Sequence, residues 1–314
     1  MAHVQPKAAV GFVGLGVMGM PMARSLLRAG YPVVAFARKP DKAAELAERG
    51  GTVAESPAAV ARATDLVITV LPDAPDVEDV LFGPAGVSEG ARAGNVIIDS
   101  SSISPIATRS FAARLAETGV TLLDAPVSGG QKGATEGTLS FMVGGDRPTF
   151  ERCLPIFEAM GKRITWIGES GAGQIAKACN QMIIAVSLVG ISEALLLAAR
   201  SGVDPARVRE ALLGGFAGSP LLEVHGQRML DRTFEPGFRA ALHYKDVGIA
   251  RSLAQAVQSP APATGLALDL FGSLLARGMA DADHSAIITA LEALAGSPVA
   301  NPTPRDGAEV AMAR

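Results

Sequence analysis

Residues 10–30 read VGFVGLGVMGMPMARSLLRAG, and within them Gly14, Gly16 and Gly19 stand at the spacing GxGxxG. The letters before the first glycine (Ala9 to Gly14) are apolar enough for a buried strand. Those after it, Met18 to Ala29, carry the apolar period of a helix that Gly30 ends. A strand, a glycine turn and a helix in this order leave few options. Gly14 permits the tight turn, Gly16 lets the backbone approach a pyrophosphate, and Gly19 lets helix and strand pack closely. The helix start adds N–H groups and a partial positive charge that favour an anion. A purely structural glycine turn would show the same letters, but the flanking strand and helix favour the dinucleotide reading. Cofactor-binding candidates are therefore Gly14, Leu15, Gly16, Val17, Met18 and Gly19.

A ribose-binding carboxylate is expected about twenty residues on, at the end of the second strand. Ala37 occupies that place, followed by Arg38 and Lys39. Two cations without a carboxylate suit a 2′-phosphate better than a bare hydroxyl, so NADP is favoured and NAD stays open. In an open α/β sheet ligands lie beyond the carboxyl ends of the strands. That rule adds Leu71 and Pro72 after the third strand and Ser102 after the fourth. Plain helix capping by the Ser100-Ser101-Ser102 run is the competing explanation.

Strand runs at Val33–Ala37, Leu66–Leu71, Asn95–Asp99, Thr121–Asp124, Ser140–Gly144 and Ile164–Ile167 alternate with helical stretches. This pattern predicts an α/β fold: an N-terminal doubly wound parallel sheet of the Rossmann type over 1–168. The texture then changes. Helical patterns at Gly173–Arg200, Pro205–Leu213, Pro220–Leu230, Lys245–Ala256, Thr264–Arg277 and Ser285–Leu294 predict an all-helical domain over 169–296. The Pro-rich residues 297–314 read as a flexible tail. Among 314 residues, 48% are hydrophobic and 19% charged, with a net charge of −3, which gives material for two cores and argues against nucleic acid as a partner. Cys153 and Cys179 form no CxxC pair and fit reduced thiols in the cytoplasm. His3, His225, His243 and His284 suggest no triad or metal cluster, so no metal is expected. The apolar run Met182–Leu197 is interrupted by Ser192 and Glu193, which points to protein interior or a subunit interface rather than a membrane. A homodimer or homotetramer through the helical domain follows as an expectation.

Three further blocks complete the reading: DAPVSGGQKGATEGTLSFMVGG from Asp124, GAGQIAKACNQM from Gly171, and LHYKDVGIA from Leu242. With the opening glycines they resemble the β-hydroxyacid dehydrogenase family, over Val10 to about Leu294. The resemblance implies reversible hydride transfer between NADP or NAD and a small 3-hydroxy acid or semialdehyde, such as 3-hydroxyisobutyrate or tartronate semialdehyde. It implies Lys177 as general acid and base, and Ser128, Gly129 and Gly130 as the nest for the substrate carboxylate. Many members place Asn four residues after the lysine. Here that position is Gln181 and Asn180 stands three after, so Asn180 is assigned to catalysis and Gln181 to substrate binding. Both share a helical face with Lys177. The family's Lys-Asp pair falls on Lys245 and Asp246, with Lys245 directed to the nicotinamide end, and Phe238 and Leu242 expected to wall the pocket. An imine or semialdehyde reductase and a non-catalytic nucleotide sensor are the rival readings; an intact Lys177 argues against both.

Overall fold

The computed structural model describes residues 7–299. Nine strands form one sheet: β1 (Val10–Val13), β2 (Val33–Phe36), β3 (Thr52–Val53), β4 (Leu66–Thr69), β5 (Val96–Asp99), β6 (Thr121–Asp124), β7 (Val127–Ser128), β8 (Leu139–Gly144) and β9 (Gly161–Gly168). Their order is β3-β2-β1-β4-β5-β6-β8-β7, with β9 on β8. From β3 to β6 every pairing is parallel, and β8 runs antiparallel to β6 and β7.

Alternation along the strands explains why they read as unbroken apolar runs. Phe12, Ile68, Ile98 and Leu123 stand in one register row and enter the core on one face. Val67, Ile97 and Leu122, one residue earlier, form the next row and enter the core on the other. Helices therefore cover both faces, and each strand needs apolar side chains at every position. Strand order reverses at β1, which lies between β2 and β4. The crevice that such a reversal opens at the carboxyl ends is where a doubly wound sheet takes its ligand.

Past Gly168 the described residues hold helices and one isolated bridge, Arg239 to Asp283. The long helix Ala172–Arg200 is followed by Pro205–Leu213, Pro220–Asp231, Ala240–Ala256, Pro262–Ala276 and Ile288–Ala295, the last entered through the 3₁₀ turn His284–Ile287. Ala185, Leu188, Val189 and Leu195 of the long helix pack with Met229, Val247, Phe271 and Ile287 in this unit's core.

The compact units divide at Cys179/Asn180, inside the long helix, whereas the sequence boundary at 168/169 falls before it. The reason is hydrogen bonding: Gly171 and Gln174 bond to β6, so the first turns of the long helix count with the sheet. Helix Ala240–Ala256 begins five residues before the expected Lys245 and so includes Leu242. Ser104, not the run 100–102, caps helix Pro105–Ala116 by accepting from Ile106 N. The expected tail begins at Ser297, yet Val299 is buried and its N–H donates to Glu292 Oε1 at 2.7 Å; residues 300–314 lie outside those described. By length and composition the long helix also meets the requirement for crossing a membrane, which the interrupted run Met182–Leu197 did not suggest.

Candidate active site

The three fingerprint glycines meet three different surroundings. A Cβ on Gly14, where φ is +101°, would lie 2.2 Å from the Val70 carbonyl oxygen just beyond β4. One on Gly19 would overlap the Gly14 carbonyl oxygen. One on Gly16 would meet nothing within 4 Å. The first two positions are filled by the fold itself, while the third faces open space at the point where strand order reverses. That is the shape of a backbone cradle for a pyrophosphate. Leu15 is buried in the core, so only its backbone is offered, whereas Val17 is exposed and Met18 half-buried beside it.

The same edge of the sheet carries Leu71, whose N–H donates to Ser101 Oγ at 2.8 Å. That hydroxyl donates in turn to Asp99 Oδ1 at 2.6 Å, and Thr69 Oγ1 donates to the same oxygen. Burial raises the Asp99 carboxyl above its ordinary range, partly offset by these hydrogen bonds. Pro72 is exposed and Ser102 half-buried, so the turns after β4 and β5 present both at the carboxyl ends. Beyond β2, Arg38 is largely exposed and sits 3.6 Å from Asp76, and Lys39 precedes helix Pro40–Ala47.

Asp124 and Gln174, both missed by sequence reasoning, position the long helix on the sheet. Asp124, at the end of β6, accepts from Gly171 N at 2.8 Å and from Gln174 N at 2.9 Å. It acts as an N-terminal cap supplied from about fifty residues upstream. Burial raises its carboxyl, and these N–H groups pull it back down. The Gln174 amide donates to Ser101 O and accepts from Ile103 N. No local spacing reveals a cap from a distant strand; the only available signal was that both residues fall inside the matched blocks.

One turn further along, Lys177 Nζ donates to the Val127 carbonyl at 2.9 Å. Val127 directly precedes Ser128, so the structure brings the amine to the start of the Ser128-Gly129-Gly130 turn, across fifty residues of sequence. Gly129 and Gly130 have φ of +123° and +60° and open helix Gly130–Glu136. That helix is tied back to the fingerprint helix Gly19–Arg28: Arg28 donates to Thr135 O and Ser25 Oγ to Ala134 O. Nucleotide cradle, Gly-Gly turn and Lys177 thus belong to one hydrogen-bonded frame.

In the helical unit, Asn180 Oδ1 is buried with no partner among the described residues. The Gln181 amide Nε2 donates to Asp246 Oδ2 at 2.6 Å, and Asp246 Oδ1 lies 3.1 Å from Lys245 Nζ. Phe238 packs against the His243 and His284 rings. The histidines also correct the sequence reading. His225, His243 and His284 form one cluster with Asp283, although 59 residues separate the first from the last.

Comparison with known proteins divides the chain between residues 168 and 171. Residues 9–168 match the model of the NAD-binding domain of 6-phosphogluconate dehydrogenase, and residues 171–291 that of the NAD-binding domain of NADP-dependent 3-hydroxyisobutyrate dehydrogenase. The 2-hydroxy-3-oxopropionate reductase of Escherichia coli is 48% identical over 93% of this chain and 99% of its own length. The 3-hydroxyisobutyrate dehydrogenase of Pseudomonas aeruginosa is 39% identical over 88% of this chain and 95% of its own. Among solved structures, the 3-hydroxyisobutyrate dehydrogenase of Mycobacterium tuberculosis with L-serine superposes with a TM-score of 0.83 at 37% identity, covering 90% of this chain and 99% of that one. The chain belongs to the β-hydroxyacid dehydrogenase family of NAD(P)-dependent oxidoreductases.

Proposed function

We propose that this enzyme reduces 2-hydroxy-3-oxopropionate (tartronate semialdehyde) with NADP as its preferred dinucleotide, and oxidises the corresponding small 3-hydroxy acid in reverse. The observation that carries the chemistry is the 2.9 Å hydrogen bond from Lys177 Nζ to Val127 O, which sets a proton donor beside the Ser128-Gly129-Gly130 turn. The substrate follows from the 48% identity to a reductase of that name. Arg38 and Lys39, with Ala37 where a carboxylate would stand, support NADP.

The turn holds the substrate carboxylate through backbone N–H groups and the Ser128 hydroxyl, which fixes the reacting carbon. The backbone of Gly14–Gly19 would hold a nicotinamide dinucleotide, which would supply the hydride for reduction or take it up in oxidation. Reduction of the aldehyde places negative charge on its oxygen. Lys177 Nζ donates the proton that completes the hydroxyl; in oxidation its neutral amine accepts that proton. Asn180 Oδ1 is the acceptor left to orient a donor group. We also propose that the working unit is a homodimer or homotetramer built on the long helix.

Initial rates on 2-hydroxy-3-oxopropionate, 3-hydroxyisobutyrate, L-serine and a cyclic imine, each with NADP(H) and NAD(H), test the reading. The highest kcat/KM is expected for 2-hydroxy-3-oxopropionate with NADPH. A higher value for another substrate would reassign the enzyme within its family, and turnover confined to the imine would overturn the lysine mechanism.

A further inference from the structure

Three imidazoles in the helical unit stand in line. His243 Nε2 lies 3.4 Å from the Gln181 carbonyl oxygen. Its Nδ1 is 3.0 Å from His284 Nδ1, and His284 Nε2 is 3.2 Å from His225 Nε2. His225 Nδ1 then faces Asp283 Oδ1 at 3.6 Å. A carbonyl oxygen only accepts, so His243 Nε2 carries a hydrogen. Each of the two ring-to-ring contacts needs one hydrogen as well. Three contacts thus call for three hydrogens, which three neutral imidazoles supply.

His225 is the partly exposed ring, at the Asp283 end. His243 is fully buried between the Phe238 and Phe271 rings. His284 is held neutral, well below the usual imidazole range, by burial and then by its two histidine neighbours. The assignment that follows is His243 as the Nε2–H tautomer and His284 as the Nδ1–H tautomer, both neutral. A backbone carbonyl has no proton to pass on, so the chain ends as a brace rather than a proton path.

Asp283 could suggest a metal site with His225 and His284, whose ligand atoms lie within 4.8 Å of one another. Its oxygens are already engaged. Arg228 sits at 2.9 Å, Gly237 N and Phe238 N donate to Oδ2, and Ser285 donates twice to Oδ1. A guanidinium in that position repels a cation. The charged and titratable groups around the chain are thus Arg228 and His225 on helix Pro220–Asp231, Asp283 and His284 at the 3₁₀ turn, and His243 on helix Ala240–Ala256. Asp246, one turn on from His243, holds the Gln181 amide. The cluster therefore grips both chain segments that carry Gln181, Lys245 and Asp246.

We propose that His243 and His284 are positioning residues, a neutral pair with fixed tautomers that holds the Gln181 turn of the long helix and so sets the Gln181–Asp246–Lys245 chain for the reaction. The proposal rests on the dehydrogenase reading above only for its kinetic consequence; the tautomers follow from geometry alone.

Long-range ¹⁵N–¹H spectra of the full-length, ¹⁵N-histidine-labelled protein at neutral pH provide the first test. His243 is expected to carry its hydrogen on Nε2 and His284 on Nδ1. A hydrogen on His243 Nδ1, or a charged His284, would overturn the proposal. So would stoichiometric zinc binding that His225→Gln abolishes, in favour of a metal site. For kinetics, His243→Leu removes the donor to Gln181 O, while His243→Gln retains an amide N–H. His243→Leu should lower kcat by roughly tenfold, the equivalent of one hydrogen bond, with KM for NADPH unchanged. His243→Gln should recover most of the rate. Equal kcat for a folded His243→Leu would overturn the proposal. Should His243→Leu fail to fold, the wild-type spectra decide. Should the wild type turn over no substrate in the panel, the dehydrogenase reading fails and the tautomer assignment still stands or falls on the spectra.

Discussion

Gly16 and Gly19 are three residues apart and answer to different physics. Gly19 has no room for a Cβ because the Gly14 carbonyl fills the space, whereas Gly16 borders no protein atom within 4 Å. Gly19→Ala should therefore cost about 1–3 kcal/mol of folding stability from overpacking. Gly16→Ala should melt like the wild type, yet raise KM for NADPH about tenfold or more because its methyl occupies ligand space. Thermal melts alongside cofactor titration separate the two effects; a destabilised Gly16→Ala would contradict the cradle. Arg38 is a third case. Its ion pair with Asp76 is long and its side chain largely exposed, so Arg38→Ala should leave the melting temperature unchanged. If it meets a 2′-phosphate, KM rises for NADPH and not for NADH, and equal changes would remove it from the site. Lys177→Ala should lower kcat by about 10²–10⁴, the usual share of a general acid, while the melt stays close to wild type. Normal turnover by Lys177→Ala would remove the lysine from the mechanism.

At the scale of elements, legibility depended on where each signal lay. Strands β1, β4, β5 and β6 were readable because burial on both faces demands unbroken apolar runs. Helices Pro205–Leu213 and Pro220–Asp231 announced themselves by a capping residue before proline, Asp204 and Ser219. Ser56–Pro57 carries the same signature, but the seven-residue, alanine-rich helix Pro57–Ala63 has too little apolar period to be recognised. Arg147–Glu158 was obscured by Pro155 in its interior. Gly130–Glu136 starts from a left-handed glycine with no capping side chain, so nothing local marked it. The site divides the same way. The glycine fingerprint is contiguous and was legible, whereas Asp124, Gln174 and the histidine cluster depend on contacts across forty or more residues. The cluster has a measurable consequence of its own. His284 stays neutral in the folded chain at a pH where an unfolded histidine takes a proton. Below about pH 6.5 the unfolded state therefore binds more protons, and stability falls as pH drops, by up to about 1.4 kcal/mol per pH unit for one group. Asp283 works at lower pH. Burial pushes its carboxyl up, but the hydrogen bonds it accepts, those from Ser285 and the Phe238 N–H among them, outweigh that and hold it well below the ordinary range. Its contribution is present above about pH 4 and is lost as pH falls further. Calorimetry from pH 8 to pH 5 should show a declining melting temperature beginning near 6.5; a flat profile over that range would mean that His284 titrates normally.

For the whole molecule the open question is what covers the long helix. Only 33% of its most apolar 18-residue window is buried within one chain. Its exposed positions, Cys179, Ile183, Gly190, Glu193, Leu197 and Arg200, are spaced 4, 7, 3, 4 and 3 residues apart. That period matches the seam along which two helices pack with a slight left-handed supercoil. Ile183 and Leu197 are 66% and 69% exposed, and Gly190, whose Cβ would meet nothing within 4 Å, allows close approach at the midpoint. Glu193 and Arg200 lie on the same stripe, so a second copy running antiparallel could set opposite charges against each other. Such an interface is self-complementary, and every substitution acts twice in a two-fold dimer. Burying one Ile or Leu side chain is worth about 1.5–3 kcal/mol, so Ile183→Glu should weaken a dimer by about 3–6 kcal/mol, or roughly two to four powers of ten in its dissociation constant. Leu197→Glu should act alike. Sedimentation equilibrium of the wild type at micromolar concentration is expected to show a dimer or tetramer, and the two variants monomers with an unchanged far-ultraviolet spectrum. A wild-type monomer at that concentration would refute the seam, and co-flotation of the wild type with lipid vesicles would assign the stripe to a bilayer instead.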